Sequence, residues 1–244
     1  MTYTKIDGYH QHSKNQLNRI YDNNIITHDQ ISKILNCISQ IPKRNSPEFV
    51  IKIKENDPIK ITLKNHPVFS FLEISLEMKG KVDNEKPVKY DKYSILLKFY
   101  SDKGNFCYRE KLDSLEIKEK FSNTGSKRLI TQYHFDMKKK GTDAPEPFFH
   151  LHLGADNAPD DMCWFPKEIK DPRFPYPPMD IMLLIEFILQ NYFQKESERL
   201  RNTPEWKQMI KKSQEIFQRH YFEKCMDFLD RGSTLLECSC KYPK

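Results

Sequence analysis

Glycine is scarce in this chain, with seven residues among 244, and none of them falls into a phosphate-cradling loop of the P-loop or dinucleotide type. ATPase and NAD-enzyme readings drop out on that ground. A Gly-x-Ser-x-Gly elbow is also missing, which disfavours a serine hydrolase of that class. No apolar run approaches the roughly 20 residues of a membrane span. The most hydrophobic window, Met179 to Phe193, is interrupted by Asp180, Glu186, Gln190 and Asn191. The opening MTYTKIDGYHQHSKNQ has no apolar stretch behind its basic residues, so it does not read as a secretory signal, and a cytoplasmic protein with no membrane partner is expected. The six cysteines are scattered and include no Cys-x-x-Cys knuckle; reduced thiols are expected, and Cys238 and Cys240 with Cys225 and Cys163 make a poor zinc set.

What is present is an aromatic-rich interior. Hydrophobic residues make up 38% and aromatics 12%, enough for a sizeable core, because Phe and Tyr bury far more area than small side chains. No repeat and no low-complexity linker divides the chain, and a single domain over 1–244 is expected. It divides into a helical part (1–45), a sheet (46–154), a proline-rich loop (155–178) and a second helical part (179–232). A net charge of +6 is too small to identify a nucleic-acid binder but permits weak attraction to phosphate.

Hydrophobic periodicity supplies the fold class. Ile31, Ile34, Leu35, Ile38 and Ile41 recur at helical spacing behind a capping-box pair, Thr27 and Gln30, and Pro42 ends that helix. A shorter helix is expected near 12–22, with Leu17, Ile20 and Tyr21 on one face. From Phe49 the period changes to two: FVIKIK and IKITLK read as a strand pair, followed by FSFLEISLEMK, YSILLKFY, FCYREKLDSLEI, RLITQYHFD and FFHLHL. Short connections between consecutive strands imply antiparallel pairing, since parallel strands need crossover helices. The predicted fold is therefore α+β: an antiparallel sheet of six or seven strands in a meander, flanked by N-terminal helices and two C-terminal helices. Pro178 suits the first turn of the apolar helix MDIMLLIEFILQNYF, and Thr203 with Pro204 opens the last helix, which stops near Gly232.

The chemistry-bearing residues gather on two strands. Period-two geometry puts His150 and His152 on one strand face, away from Phe149, Leu151 and Leu153, and puts Gln132, His134 and Asp136 on one face of the neighbouring strand. Three readings stay open for this cluster. Imidazoles with a carboxylate suit a divalent metal; two imidazoles also suit metal-free acid and base work on a phosphodiester, because they titrate near neutral pH; and a hydrogen-bonded structural pair needs no chemistry. No cofactor is required, and a divalent metal remains one option. Lys138, Lys139, Lys140, Arg128 and Arg173 are candidate phosphate contacts. Trp164, Phe165, Phe174 and Tyr176 in the proline-rich loop are candidates for a protein interface. Glu186, amid apolar neighbours, calls for an ion pair with Arg173, a Lys or a His, and Asp180 suits a helix cap.

Tyr133 to Asp136, His150 to Gly154, Arg173-Phe-Pro175 and Phe187 to Phe193 together resemble uncharacterised bacterial families with a Tyr-x-x-Asp strand, an HxHxG strand, Arg-x-Pro and a FIL-x-N-(F/Y) helix. The HLHLG segment departs from the histidine-triad hydrolase signature, which has a third His at the position of Gly154. Families of this kind resemble components of toxin and phage-defence loci. That resemblance implies a toxin-like or phage-defence-associated protein engaging nucleic acid, with phosphodiester cleavage centred on His150 and His152 beside His134 and Asp136. The alternatives are a non-catalytic subunit of a larger defence assembly, and a small-molecule metalloenzyme.

Overall fold

The computed structural model describes residues 9–22, 25–41, 48–64, 66–67, 69–83, 86–101, 128–137, 148–153, 173–232 and 234. Two helices come first, α1 (Tyr9–Asp22) and α2 (His28–Ser39). The apolar stripe of α2 buries Ile31, Ile34 and Ile38, as its spacing requires. Thr27 does sit at the N-cap, but its side chain makes no capping bond. Gln30, the other half of the expected capping box, instead accepts the Lys60 N–H at 2.7 Å and ties the helix to the sheet. Helix α1 starts earlier than its apolar spacing suggests because Tyr9, fully buried, is held by Asp180.

Among the described residues the sheet has seven strands: β1 (Phe49–Ile53), β2 (Ile59–Thr62), β3 (Phe71–Asp83), β4 (Lys86–Ser101), β5 (Arg128–Met137), β6 (Phe149–Leu153) and β7 (Arg173–Pro175). The order is β1-β3-β4-β5-β6-β7, every pairing is antiparallel, and β2 also pairs with β3. The meander is thus as expected, with two corrections. Strands β1 and β2 are not a pair; both lie along the same edge of β3, β1 against Leu76 to Gly80 and β2 against Phe71 to Ile74. The turn closed by Asp57 N–H on the Lys54 carbonyl makes a sideways jog and not a reversal. In addition, Arg173–Pro175 is an edge strand and not loop. The strand expected at FCYREKLDSLEI lies outside the described residues.

Alternation sends one set of side chains to each face. Ile51, Ile74, Met78, Tyr93, Ile95, Leu97, Phe135 and Phe149 are buried on the helix side. There Phe149 meets Tyr221, Phe135 meets Phe187, and the Tyr93 hydroxyl accepts the Met179 N–H at 2.8 Å. The helix layer comprises α3 (Ile181–Tyr192), α4 (Gln194–Arg201), α5 (Pro204–Ser213), a π-helical turn (Gln214–Gln218) and α6 (Arg219–Asp230). In place of two C-terminal helices, the chain inserts α4 and bends the last helix at the π turn. Pro178 precedes the first helical residue by three positions. Asp180 is the cap of α3, its carboxylate accepting the Leu183 N–H at 2.9 Å. Thr203 caps α5 as predicted, through the Trp206 N–H. No helix among the described residues is long and apolar enough to cross a membrane.

Candidate metal centre

The other face of the sheet is polar, and its chemistry follows from register. Strand β5 pairs with β6 so that His134 lies opposite His152 and Asp136 opposite His150. Because side chains alternate, all four project from the face opposite Phe135 and Leu151. On the β4 side, Leu96 faces His134 and Ser94 faces Asp136. The sequence places each pair of residues on a face; only the pairing of β5 with β6 brings the two pairs together.

The resulting geometry is compact. The His134 and His152 rings lie 4.6 Å apart by centroid, and those of His150 and His152 lie 5.6 Å apart. His134 Nε2 is 3.6 Å from Asp136 Oδ2 and 2.8 Å from Ser94 Oγ. The other Asp136 oxygen accepts the Met137 N–H at 2.8 Å, which fixes the carboxylate with Oδ2 toward the imidazole. One donor atom from each of His134, Asp136 and His152 lies within 4.8 Å of the other two, the only such metal-ligand group among the described residues. A divalent ion with bonds of about 2.1 Å spaces its ligand atoms by roughly 3–3.5 Å, so the His134 and Asp136 donors are already close to the required separation.

Burial sets the electrostatics. His150 and His152 are only 4% and 7% exposed, so they are not the solvated pair that an exposed sheet face would carry. Burial pushes the His134 imidazole below its ordinary value; the Asp136 carboxylate opposes that shift, His150 adds to it, and Glu55 opposes it weakly. Burial thus favours the neutral imidazole of His134, the form that ligates a metal.

A groove of about 710 Å³ runs from the β1–β2 jog (Lys54, Glu55, Asn56) across β3 and β4 to Gln132 and His134. Four lysines, Lys52, Lys54, Lys92 and Lys98, line it against two glutamates. Glu77 binds Lys52 at 3.2 Å and Lys92 at 2.9 Å, and both lysines hold its carboxyl below the usual range. Glu55 binds Lys98 at 2.6 Å. Sequence reasoning missed Ser94 and these lysines. The signal was present in β4, where Ser94, Leu96 and Lys98 alternate with Tyr93, Ile95 and Leu97, but only the pairing with β5 connects them to the histidines.

The remaining candidates are placed as follows. Arg173 pairs with His152 in the sheet register, next to the cluster. Arg128 pairs with Ser101 at the far end of β5, six residues from His134, or roughly 20 Å along an extended strand, and so is not beside the cluster. Lys138, Lys139, Lys140, Trp164 and Phe165 lie outside the described residues. Phe174 is about half exposed, in keeping with a surface role. Tyr176 is turned inward, edge-on to Phe135 and Phe187 at 5.0 and 6.4 Å, and belongs to the core packing and not to an exposed interface. Glu186 is answered by Arg201, at 3.0 and 2.8 Å, and by Trp206 Nε1 at 2.7 Å. Comparison of the chain with protein-family models, with curated proteins and with solved structures finds no match.

Proposed function

We propose that the polar face of the sheet is a divalent-metal centre, ligated by His134, Asp136 and His152, that acts on phosphodiester bonds of nucleic acid. The observation that carries this reading is the convergence of three donors of two chemical types within 4.8 Å. Two imidazoles and a carboxylate suit Zn, Mn, Fe or Ni. His134, Asp136 and His152 would hold such an ion, which would supply charge stabilisation and an acidified water for phosphodiester hydrolysis.

The protein's own residues divide the remaining work. Asp136, held by the Met137 N–H, would neutralise part of the charge of the ion. Ser94, whose hydroxyl bonds His134 Nε2 at 2.8 Å, orients that ring and would be within reach of a phosphate oxygen of the substrate. His150, opposite Asp136 and adjacent to His152, is the candidate for proton transfer to the leaving oxygen. The lysine-rich groove supports an anionic substrate, since its lining carries more positive than negative charge. Nucleic acid in a bacterial toxin or phage-defence setting is the substrate context that the motif resemblance implies.

The test is cleavage of labelled single-stranded RNA, single-stranded DNA and duplexes by chelator-treated protein before and after reloading with Zn²⁺, Mn²⁺ or Co²⁺. Metal-dependent cleavage that disappears in His152→Ala and Asp136→Asn is the expected result. Cleavage that persists undiminished in the chelated protein would overturn the metal role. Turnover of a small aryl phosphodiester with no action on any polynucleotide would move the protein to the small-molecule metalloenzymes.

A further inference from the structure

Helix α6 carries a second apolar stripe that its fold does not use. Tyr221 and Cys225 turn into the core, at 6% and 7% exposure. Phe222, Met226 and Leu229 recur at i, i+4 and i+7 on a different face, at 50%, 56% and 38% exposure. A helix needs one buried stripe to dock, so this second one is surplus to folding. Beside it lies a groove of about 660 Å³, lined by Phe222, Met226 and residues of the preceding π-helical turn. Interruptions of this kind in an α-helix are frequent at functional sites.

The rim gives the occupant's chemistry. Glu215, Glu223, Asp227 and Asp230 line the groove with Arg219, which bonds Glu223 at 2.8 Å, while Arg231 bonds Asp227 at 2.8 Å; four carboxylates against two arginines leave the rim net acidic. This acidic surface lies on a chain whose net charge is +6, so it is a local feature and not a reflection of the whole. A second copy of the same face would set acid against acid, which disfavours self-association through it. Anionic lipid surfaces and nucleic acid are repelled for the same reason. We propose that the Phe222–Met226–Leu229 stripe and its acidic rim dock a basic amphipathic helix of a partner protein. The apolar side of that helix would lie on the stripe and its Lys or Arg side chains would meet the rim, the helix-in-groove mode of recognition. Met226 suits this role because an unbranched thioether repacks around different apolar partners. The proposal is independent of the metal centre on the other side of the sheet.

The experiment uses the full chain and a fluorescein-labelled synthetic Leu/Lys amphipathic helix of about five turns, followed by anisotropy. A composition-matched scrambled peptide and a Leu/Glu helix of the same pattern are the controls, and sedimentation reports self-association. The Leu/Lys helix is expected to bind at least about tenfold more tightly than either control, and Met226→Glu and Phe222→Ser are each expected to lose at least about tenfold. Both positions are exposed, so thermal melting should be unchanged and folding is controlled for. A third variant, Asp227→Lys with Asp230→Lys, should shift the preference toward the Leu/Glu helix. Equal binding of the scrambled peptide overturns the proposal as mere charge attraction. So does absence of binding, or self-association that Met226→Glu abolishes.

Discussion

Substituting Tyr9 by Phe removes one hydroxyl from a fully buried polar node that joins three helices. The Tyr9 hydroxyl donates to Asp180 Oδ2, which also accepts Ser213 Oγ at 3.0 Å, while Oδ1 takes the Leu183 N–H. Through this carboxylate, α1, the start of α3 and the end of α5 are joined. Tyr9 is 0% and Asp180 1% exposed, so water cannot take the place of the lost donor. The ring itself remains, edge-on to Phe217 at 5.9 Å, and no cavity opens. The cost is therefore that of one hydrogen bond to a charged acceptor, about 1.5–3 kcal/mol. For a chain of this size that lowers the melting temperature by roughly 3–12 °C. Urea titration and thermal melting followed by far-UV circular dichroism measure it directly. Acidification gives a second readout. Burial raises the Asp180 carboxyl above its ordinary value, with Tyr9, Leu183 and Ser213 pulling the other way. A group whose folded value is raised binds its proton more readily when folded. Its contribution to stability is fully present below the unfolded value and is lost as pH rises through the folded one. Wild-type protein should accordingly gain on Asp180→Asn as pH falls through that window, and the Tyr9→Phe penalty should shrink as the carboxylate is neutralised. A penalty under about 0.5 kcal/mol at neutral pH, or a trend of the opposite sign, would refute the reasoning.

Other outcomes follow from the same packing. Glu186→Gln leaves Arg201 and Trp206 competing for one carbonyl where a carboxylate served both; a loss of about 1–3 kcal/mol in urea titrations is expected, and a change in the tryptophan emission should accompany it. Phe135→Ala, at a side chain 1% exposed between Tyr176 and Phe187, should cost about 3–5 kcal/mol, with a melting profile unaffected by substitution serving as the contrary result. Lys98→Gln removes the Glu55 partner in the groove; because the Glu55 side of the pair is solvated, at 64% exposure, stability should change by less than about 1 kcal/mol, while any polynucleotide affinity should fall with a shallower salt dependence.

The parts of the fold that were legible in the sequence are those that local periodicity dictates. Alternation in FVIKI, FLEISLEM and YSILLKFY is written by the inward residues themselves, and the sheet follows. What alternation does not encode is direction. A run of period two reads the same whether the chain reverses after it or merely jogs, so β1 and β2 looked like a hairpin when they form two segments along one edge of β3. The split between α3 and α4 was hidden for a related reason: Gln194–Arg201 is polar apart from Leu200 and offers no stripe to mark it as a helix. At the candidate site, spacing put the histidines and Asp136 on defined faces. Register is a non-local property, so the opposition of His134 to His152 and of Asp136 to His150 needed the paired strands. Likewise Arg201, fifteen residues from Glu186, becomes its partner only because α4 turns back on α3.

The central claim is that His134, Asp136 and His152 together ligate one divalent ion. It is tested most directly by isothermal titration of Zn²⁺ and Mn²⁺ into chelator-treated protein, comparing the wild type with His134→Ala, Asp136→Asn and His152→Ala. One equivalent should bind to the wild-type chain, with each substitution weakening that affinity by at least about 100-fold while the circular dichroism spectrum stays unchanged. Folded wild-type protein that takes up no metal, or variants that bind as tightly as it does, would contradict the account.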